Sequence, residues 1–137
     1  MRILVTGGRF FADERFLIEA LDYLHARRRI TVVIHGACMR LDKHGREIGA
    51  DYFAGRWCRR NYLFELPFPA DWDRLGDAAG PIRNDRMLEE GRPEGAVAFP
   101  GALGTKDMVK KCWFASVKVW KPAEDQKFLA WRRSLPQ

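Results

Sequence analysis

The stretch Arg2-Ile-Leu-Val-Thr-Gly-Gly8 opens the chain and indicates a short buried β-strand that ends at a tight glycine turn. Apolar residues then recur at helical spacing from Asp13 to Arg28, and Asp13 stands where an N-cap is expected. The next segment, Ile30 to Ile34, is apolar on both faces, as a parallel strand must be when helices cover both sides of its sheet. These three segments together predict a βαβ unit.

The rest of the chain continues to alternate between strand and helix patterns. Further helices are predicted over Ala50 to Arg60, Ile82 to Glu90 and Thr105 to about Ser116, and further strands over Leu63 to Phe68, Ala96 to Phe99 and Val117 to Trp120. The polar segment from Ala37 to Ile48 is predicted to be a loop, and Thr105 to cap its helix. This alternation predicts an α/β fold, a Rossmann-like three-layer sandwich with a mostly parallel sheet of about five strands.

The predicted sheet and its helices account for residues 1–122, which we expect to form one domain. Residues 123–137 are expected to form a C-terminal helical tail. Its apolar residues Phe128, Leu129 and Trp131 share one face, which is predicted to dock on the domain or on a second copy of it.

The composition is that of an ordinary globular protein with a basic surface. The chain has 137 residues, of which 47% are hydrophobic and 31% charged, and a formal net charge of +6. Such a charge attracts anions, including nucleotides and nucleic acid. With no Cys-x-x-Cys pair, no leader pattern and no apolar run long enough to span a membrane, the sequence predicts a cytoplasmic protein without a membrane partner. No metal or other cofactor is expected, because His35, Cys38 and His44 are too few for a structural zinc site.

Three of the predicted loops that leave the carboxyl ends of strands contain glycine. They are Thr6-Gly7-Gly8-Arg9, His35-Gly36-Ala37 and Pro100-Gly101-Ala102-Leu103-Gly104-Thr105. In an open parallel sheet such loops line the ligand crevice, and glycines let backbone amides approach a phosphate closely. A single glycine turn often has a purely steric reason. Three of them at one sheet edge of a basic protein favour an anionic ligand.

A wider set of motifs, in order between residues 2 and 120, resembles the YspA-like branch of the SLOG superfamily. The motifs are Leu4-Val-Thr-Gly-Gly-Arg9, His35-Gly36, Gly49-Ala-Asp51, Asp71-Trp72, Gly80-Pro-Ile-Arg-Asn84, Met87, and Phe99-Pro-Gly101 with Gly104-Thr105. That superfamily also contains the lonely-guy phosphoribohydrolases, single-strand DNA binders of the DprA type and domains thought to sense nucleotide derivatives. The resemblance implies a Rossmannoid fold, a small nucleotide-like ligand and, because lonely-guy relatives are dimers, a homodimer. The residues then expected to bind the ligand are Thr6, Gly7, Gly8, Arg9, His35, Gly36, Asp51, Asn84, Met87, Pro100, Gly101, Gly104 and Thr105.

The resemblance to the phosphoribohydrolases is incomplete where those enzymes carry out catalysis. Arg83 and Met87 resemble their Arg-Lys-x-x-Met element, whose arginine takes part in catalysis, although Asn84 replaces the lysine. Met108 stands where those enzymes have a glutamate, and Asp107 is the neighbouring carboxylate. If the chain is an enzyme, Arg83 and Asp107 are its expected catalytic residues. On the same reasoning, Met108→Glu is expected to install hydrolysis.

Three functions therefore remain open, each explaining a different part of the sequence. A protein that binds a nucleotide or nucleotide derivative, as a sensor or a sequestering module, explains the glycine loops and the missing glutamate. A phosphoribohydrolase that cleaves the N-glycosidic bond of a nucleoside monophosphate explains Arg83. A binder of single-stranded nucleic acid, using arginines such as Arg27 to Arg29, explains the charge.

Overall fold

The computed structural model describes residues 1–136 and contains a five-stranded sheet with helices on both sides. In chain order, the elements are β1 (Arg2–Thr6), α1 (Glu14–Arg27), β2 (Val32–His35), β3 (Arg40–Leu41), β4 (Glu47–Ile48), α2 (Ala50–Arg60), β5 (Phe64–Pro67), α3 (Trp72–Leu75), α4 (Ala79–Glu89), β6 (Gly95–Ala98), α5 (Leu103–Phe114), β7 (Val119–Trp120) and α6 (Gln126–Arg133). Short 3-10 turns at Gly76–Ala78 and Pro122–Glu124 precede α4 and α6.

The main sheet has the strand order β5-β2-β1-β6-β7, and every neighbouring pair is parallel. From β1 the chain moves outward through β2 to β5, then returns to the other side of β1 to form β6 and β7. The prediction of a Rossmann-like α/β sandwich is confirmed. The winding direction reverses between β1 and β6, which is the point where open α/β sheets bind ligands at the carboxyl ends of their strands.

Alternate residues of the central strands face two separate apolar cores, one on each side of the sheet. Ile3, Val5 and Val33 face a first core formed with α1, α2 and α6. Leu4 and Ile34 face a second core formed with α4 and α5. The apolar residues of β1 and β2 are thus buried on both faces, which explains why their sequences show no polar alternation.

The starts of two helices differ from the sequence prediction. Helix α1 begins as predicted, since the Asp13 carboxylate accepts a hydrogen bond from the Phe16 N–H at 3.1 Å. Helix α5 begins at Leu103 with Ala102 at its N-cap, so the prediction that Thr105 caps it was wrong. Helix α4 begins at Ala79, ahead of the predicted start. The long loop before it is partly helical because α3 and a 3-10 turn occupy it.

The segment predicted as a loop before α2 contains a small antiparallel hairpin formed by β3 and β4. Its register pairs Arg40 with Ile48. The Asp42 carboxylate closes the turn by accepting hydrogen bonds from the N–H groups of His44 and Arg46 at 2.8 and 2.9 Å. This local side-chain turn explains how a polar, mixed-charge sequence forms ordered structure.

The C-terminal tail packs on its own domain. Phe128 of α6 is fully buried in the first core, and Leu129 and Trp131 pack against the same core. The Asp125 carboxylate caps α6 and also accepts a hydrogen bond from the Trp120 indole at 2.7 Å, which holds the pKa of Asp125 below its usual value. This packing corresponds to the first of the two predicted arrangements, in which the tail docks on its own domain. Within residues 1–136, no helix combines the length and apolarity needed to cross a membrane.

Candidate functional site

Five polar or charged side chains are buried within residues 1–136, and sequence analysis predicted a ligand-binding or catalytic role for every one of them. They are Thr6, His35, Asp51, Arg83 and Asn84, which we call the polar cluster. Burying a charged group is costly unless it gains partners, so the cluster is an unusual feature of a small domain. Its members come from β1, β2, α2 and α4, which meet at the carboxyl edge of the sheet.

Arg83 joins helix α4 to the loop after β2. Its Nη1 donates a hydrogen bond to the Gly36 carbonyl, and its Nε donates to Asn84 Oδ1 at 2.9 Å. Nη1 also lies 3.7 Å from the Cys38 sulfur. A Cβ atom on Gly36 would overlap the guanidinium and lie 3.0 Å from Asp51 Oδ2. Glycine is therefore needed here because Arg83 and Asp51 approach the backbone closely.

Asp51 lies in the first turn of α2, beneath the same loop. Its Oδ2 accepts a hydrogen bond from the Cys38 N–H at 3.1 Å. Burial raises the pKa of Asp51 above its usual value, although His35, the Cys38 amide, Arg83 and the Gly36 amide all favour the ionised form. A buried carboxyl with a raised pKa beside an arginine is typical of functional sites.

His35 is held on both sides of its ring. Nδ1 accepts a hydrogen bond from the Ala37 N–H at 3.0 Å, which leaves Nε2 to donate to Glu65 Oε2 at 2.6 Å. Arg59 donates to the other oxygen of Glu65 at 2.6 Å. Partial burial alone would raise the pKa of Glu65, but the hydrogen bonds from His35 and Arg59 outweigh it and lower that pKa.

Sequence analysis missed Glu65 and considered Arg59 only as one of the arginines of a nucleic-acid binder. The available signal was the single charged residue within the predicted third strand. It could not be interpreted without the pairing of β5 with β2, which sets Glu65 level with Val33 and near His35.

Asn84 connects the cluster to helix α5. Its Nδ2 donates to Asp107 Oδ2 at 3.0 Å and to the Gly104 carbonyl at 3.3 Å. The same oxygen of Asp107 forms an ion pair with Lys111 at 3.0 Å, and Lys111 forms a second one with Asp85 at 3.0 Å. Asp107 thus reaches the cluster, but its charge is already compensated by neighbouring groups.

The two methionines that sequence analysis associated with the site lie in the apolar core. Met87 and Met108 are both fully enclosed in the second core, with Leu4 and Ile34. Met87, expected to contact the ligand, instead packs beneath the site. The burial of Met108 argues against the expectation that Met108→Glu would install hydrolysis, because a glutamate there would lie in the apolar core.

The glycine turns after β1 and β6 lie against each other, as predicted for loops at one sheet edge. The Gly8 N–H donates to the Pro100 carbonyl at 2.8 Å. A Cβ atom on Gly7 would lie 2.6 Å from the Cβ of Ala50, and one on Gly101 would overlap Thr105. Close packing by itself therefore accounts for glycine at positions 7 and 101.

The backbone amides placed to meet an anion are those at the start of α5. Ala102 provides no side-chain hydrogen bond at the N-cap, and the first amides of a helix have no partner within the helix. A Cβ atom on Gly104 would meet nothing within 4 Å, so the space beside this turn is open. Such a helix terminus attracts negative charge through its dipole.

Two comparisons with known proteins identify the family of this chain. A family model described as the YspA, cpYpsA-related SLOG family matches residues 1–75, which run from β1 to the end of α3. The chain is also 32% identical over 126 residues to the Gene 61 protein of Mycobacterium phage D29, with 86% of this chain and 93% of that protein covered. The chain belongs to the YspA, cpYpsA-related SLOG family. Membership confirms the resemblance found in the sequence and indicates a nucleotide-related role at a coarse level.

In this SLOG chain, the rim of the site is formed by Arg9 from the loop after β1 and by Trp72 at the start of α3. The Arg9 guanidinium lies 5.9 Å from the centre of the Trp72 ring, and that ring packs over Gly80. Trp72 is 43% exposed, so part of its ring is accessible at the rim. Cation–π pairs of this kind are exchangeable when a ligand offers a better partner.

The SLOG site as a whole offers hydrogen-bond donors, one guanidinium at its base, another at its rim and an exposed aromatic ring. Within residues 1–136, no group of three or more histidine, cysteine, aspartate or glutamate side chains is arranged to hold a metal ion. The chemistry that these groups provide is recognition of an anion attached to a polar or aromatic group.

Proposed function

We propose that this SLOG-family protein binds a nucleotide or nucleotide-derived ligand at the carboxyl edge of its sheet, as a sensor or sequestering module. The observation that carries the proposal is the buried Arg83, which is bonded to Gly36 and Asn84 beside the open first turn of α5. Family membership supports the nucleotide class of the ligand.

The phosphate of the ligand is expected at the first turn of α5, near Gly104 and Thr105. Backbone N–H groups and the positive end of the helix dipole favour an anion there. Arg9 is exposed at the rim and can supply a guanidinium to the same phosphate. The base is expected near Trp72, a partly exposed ring on which a base can stack in place of Arg9.

The polar cluster is better suited to binding a nucleotide than to hydrolysing its N-glycosidic bond. Cleavage of an N-glycosidic bond develops positive charge at the ribosyl carbon, which a free carboxylate must stabilise, much as in glycosidases. Asp107 is engaged by Asn84 and Lys111, and Asp51 accepts a backbone hydrogen bond from Cys38. Both carboxyl groups therefore serve to hold the protein together.

Hydrolysis of a nucleoside monophosphate is the second candidate function, because Asp107 does reach the polar cluster through its 3.0 Å contact with Asn84. Release of free base from AMP would reveal it. Turnover near the ~10 per second typical of enzymes would replace the binding proposal by the enzymatic one.

The binding proposal is tested by native mass spectrometry of protein purified from cells, followed by calorimetry with AMP. We expect a co-purified nucleotide and a roughly tenfold loss of AMP affinity in Arg9→Ala, the size of effect expected for about 1.4 kcal/mol. Arg9 suits this test because it is exposed, whereas a substitution at Gly101 would displace Thr105. The matched control is Arg28→Ala, an exposed arginine at the other end of α1 from the site.

The two variants also define the outcome that would refute the proposal. If AMP, other nucleotides and inorganic phosphate fail to bind, or if Arg28→Ala weakens AMP binding as much as Arg9→Ala, the carboxyl edge is not the ligand site.

A further inference from the structure

A groove of about 550 Å³ runs along a face of α5 that points away from the polar cluster. Its wall on the helix is formed by Lys106, Val109, Lys110 and Trp113, which recur every three or four residues. Asp107, which bonds to the cluster, lies on the adjacent face about 100° around the helix. The groove therefore lies on a different face of α5 from the buried cluster, although one end of it adjoins the proposed phosphate site at Gly101 and Thr105.

The surface continues beyond the groove toward strand β7. A second hollow of about 410 Å³ shares Val109, Trp113 and Lys121 with the groove and extends to Lys118. We call the two hollows together the lysine groove. At its other end it reaches the glycine turn at Gly101. Helix α5 from Thr105 onward spans ~14 Å, so the lysine groove is longer than a single nucleotide needs.

The lysines of this surface carry uncompensated charge. Lys106, Lys110 and Lys118 are exposed, and none of them takes part in an ion pair within residues 1–136. Lys121 lies 3.9 Å from Glu124, an acidic residue at the rim. The balance on this surface is strongly positive, so its chemical complement is an anion.

The same surface exposes a large aromatic ring. Trp113 is 75% exposed, and its ring meets the neighbouring Phe114, which is 70% exposed, in an edge-on contact. Val109 provides an apolar floor between the lysines. A simple anion would use the lysines but not the tryptophan, so the surface favours an anion that also presents flat apolar rings.

Neither protection of an edge strand nor self-association accounts for the whole lysine groove. Lysines beside an edge strand prevent unwanted strand pairing, which can explain Lys118 and Lys121 beside β7 but not Lys106 and Lys110 on a helix. A second copy of the chain docked symmetrically would bring the same lysines face to face, and like charges opposed across an interface are unfavourable.

We propose that the lysine groove binds single-stranded nucleic acid, with lysines contacting phosphates and Trp113 stacking on a base. Protein surfaces that bind single strands combine a positive groove with exposed aromatic side chains, because every base has a face that can stack. Lys106 and Lys110 are separated by ~6 Å along the helix axis, so they can contact different phosphates. DNA and RNA strands share this chemistry.

The proposal is tested by fluorescence anisotropy with labelled dT12 and U12 strands at several salt concentrations. The double variant Lys106→Glu/Lys110→Glu is expected to bind at least tenfold more weakly and to flatten the salt dependence by a slope of about 1.4, since each phosphate contact contributes about 0.7 on single strands. Trp113→Ala is expected to weaken binding about tenfold with little change in the slope.

The matched control is Lys43→Glu/Lys127→Glu, which makes the same change in net charge at two exposed lysines outside the lysine groove. If it weakens binding as much as the groove variant, only net charge is at work and the proposal is refuted. Failure of the wild-type protein to bind either strand, or equal competition by polyglutamate, would also refute it.

The test separates this proposal from the nucleotide site. Arg9→Ala is expected to leave dT12 binding unchanged, and Trp113→Ala, about two turns further along α5 from Thr105, is expected to leave AMP binding unchanged. If Arg9→Ala abolishes binding of both AMP and dT12, the strand binds at the carboxyl edge and the lysine groove is not its site. Preference between dT12 and U12 then identifies which kind of strand the groove favours.

Discussion

Two surfaces lie on different faces of helix α5, and they differ in whether their polar side chains are fixed by hydrogen bonds. On one side, Arg83, Asn84 and Asp107 are joined by hydrogen bonds to each other and to backbone groups. On the other side, Lys106 and Lys110 extend into solvent without ion-pair partners among residues 1–136. The first surface has fixed its donors in position before any ligand arrives, and the second has not.

This difference has consequences for recognition. Fixed donors at a buried base select by geometry, because a ligand of the wrong shape leaves them poorly paired. Exposed lysines select mainly by charge, and their contribution is screened by salt. The two surfaces should therefore differ in tolerance to substitution, in pH dependence and in accessibility to reagents.

The largest effect on the free energy of unfolding is expected when an apolar side chain on the buried side of α5 is replaced by a carboxylate. Met108→Glu places a charge in the second core, and we expect the free energy of unfolding to fall by at least about 3 kcal/mol. The loss should grow as the pH rises above the usual pKa of glutamate, because burial favours the protonated form. Urea denaturation at pH 5 and pH 8 measures both effects.

Lys110→Glu on the exposed side is the matched comparison for Met108→Glu. It introduces the same carboxylate into solvent, and the free energy of unfolding should change by less than about 0.5 kcal/mol. Met108→Leu controls for the loss of the thioether. A stable Met108→Glu variant that releases base from AMP would show that this position faces the site after all.

An intermediate effect on stability is expected for Asp51 and Glu65, two carboxyl groups near His35. Their pKa values shift in opposite directions. The folded-state pKa of Asp51 lies above its usual 3.8, so its contribution to stability is fully present below pH 3.8 and is lost as the pH rises through the folded-state pKa. The folded-state pKa of Glu65 lies below its usual 4.5, so its contribution is present above pH 4.5 and is lost as the pH falls through the folded-state pKa.

Asp51→Asn should therefore gain stability relative to the wild type as the pH rises from about 4, and Glu65→Gln should gain as the pH falls below about 4.5. For each variant, the difference in the free energy of unfolding from the wild type changes by no more than about 1.4 kcal/mol per pH unit. Urea denaturation between pH 3.5 and pH 7 gives both curves. Parallel curves for the two variants would mean that the local environments of Asp51 and Glu65 do not differ as described.

The smallest effect concerns the accessibility of the three thiols. Cys38 is half-buried beside Arg83, whereas burial raises the pKa of Cys58 and Cys112 to about 11. Because the thiolate is the reactive form, we expect an aromatic disulfide reagent to modify one thiol in the folded protein and three in urea.

The same reagent distinguishes the two surfaces. AMP is expected to slow the labelling of Cys38 several-fold, and dT12 is expected to leave the rate unchanged. Cys38→Ser removes the fast phase and identifies the thiol. Protection by dT12 without protection by AMP would place the strand, and not the nucleotide, at the polar cluster.

The sequence was sufficient to predict the residues of the polar cluster but not the hydrogen bonds that they form. All five buried polar residues were among the site residues that the resemblance to the SLOG superfamily implied, and only Thr6 and His35 also stood in glycine turns that local patterns predicted. Glu65 was missed because its partner His35 lies on a neighbouring strand 30 positions away. Met87 was placed wrongly because a motif gives spacing along the chain and not the face of the helix that is buried.

Local patterns also failed where side chains form turns or caps. The hairpin closed by Asp42 has only a few residues in each strand, too few for an alternating pattern to be recognised. Thr105 was expected at an N-cap because threonine favours that position, but the N-cap is Ala102, three residues earlier, beside the point where Gly101 packs against Gly8.

The sequence by itself determined the α/β class, the parallel sheet, the apolar strands β1 and β2 and the presence of charged groups near glycine turns. These follow from the spacing of apolar residues and from glycine, which act within a few residues of one another. Only the tertiary structure decided that Met108 faces the core, that Asp107 is neutralised by Lys111, and that Lys106, Lys110 and Trp113 share a groove with Lys121. The direction of a side chain depends on which face of its helix meets the sheet, and segments distant in the chain fix that together.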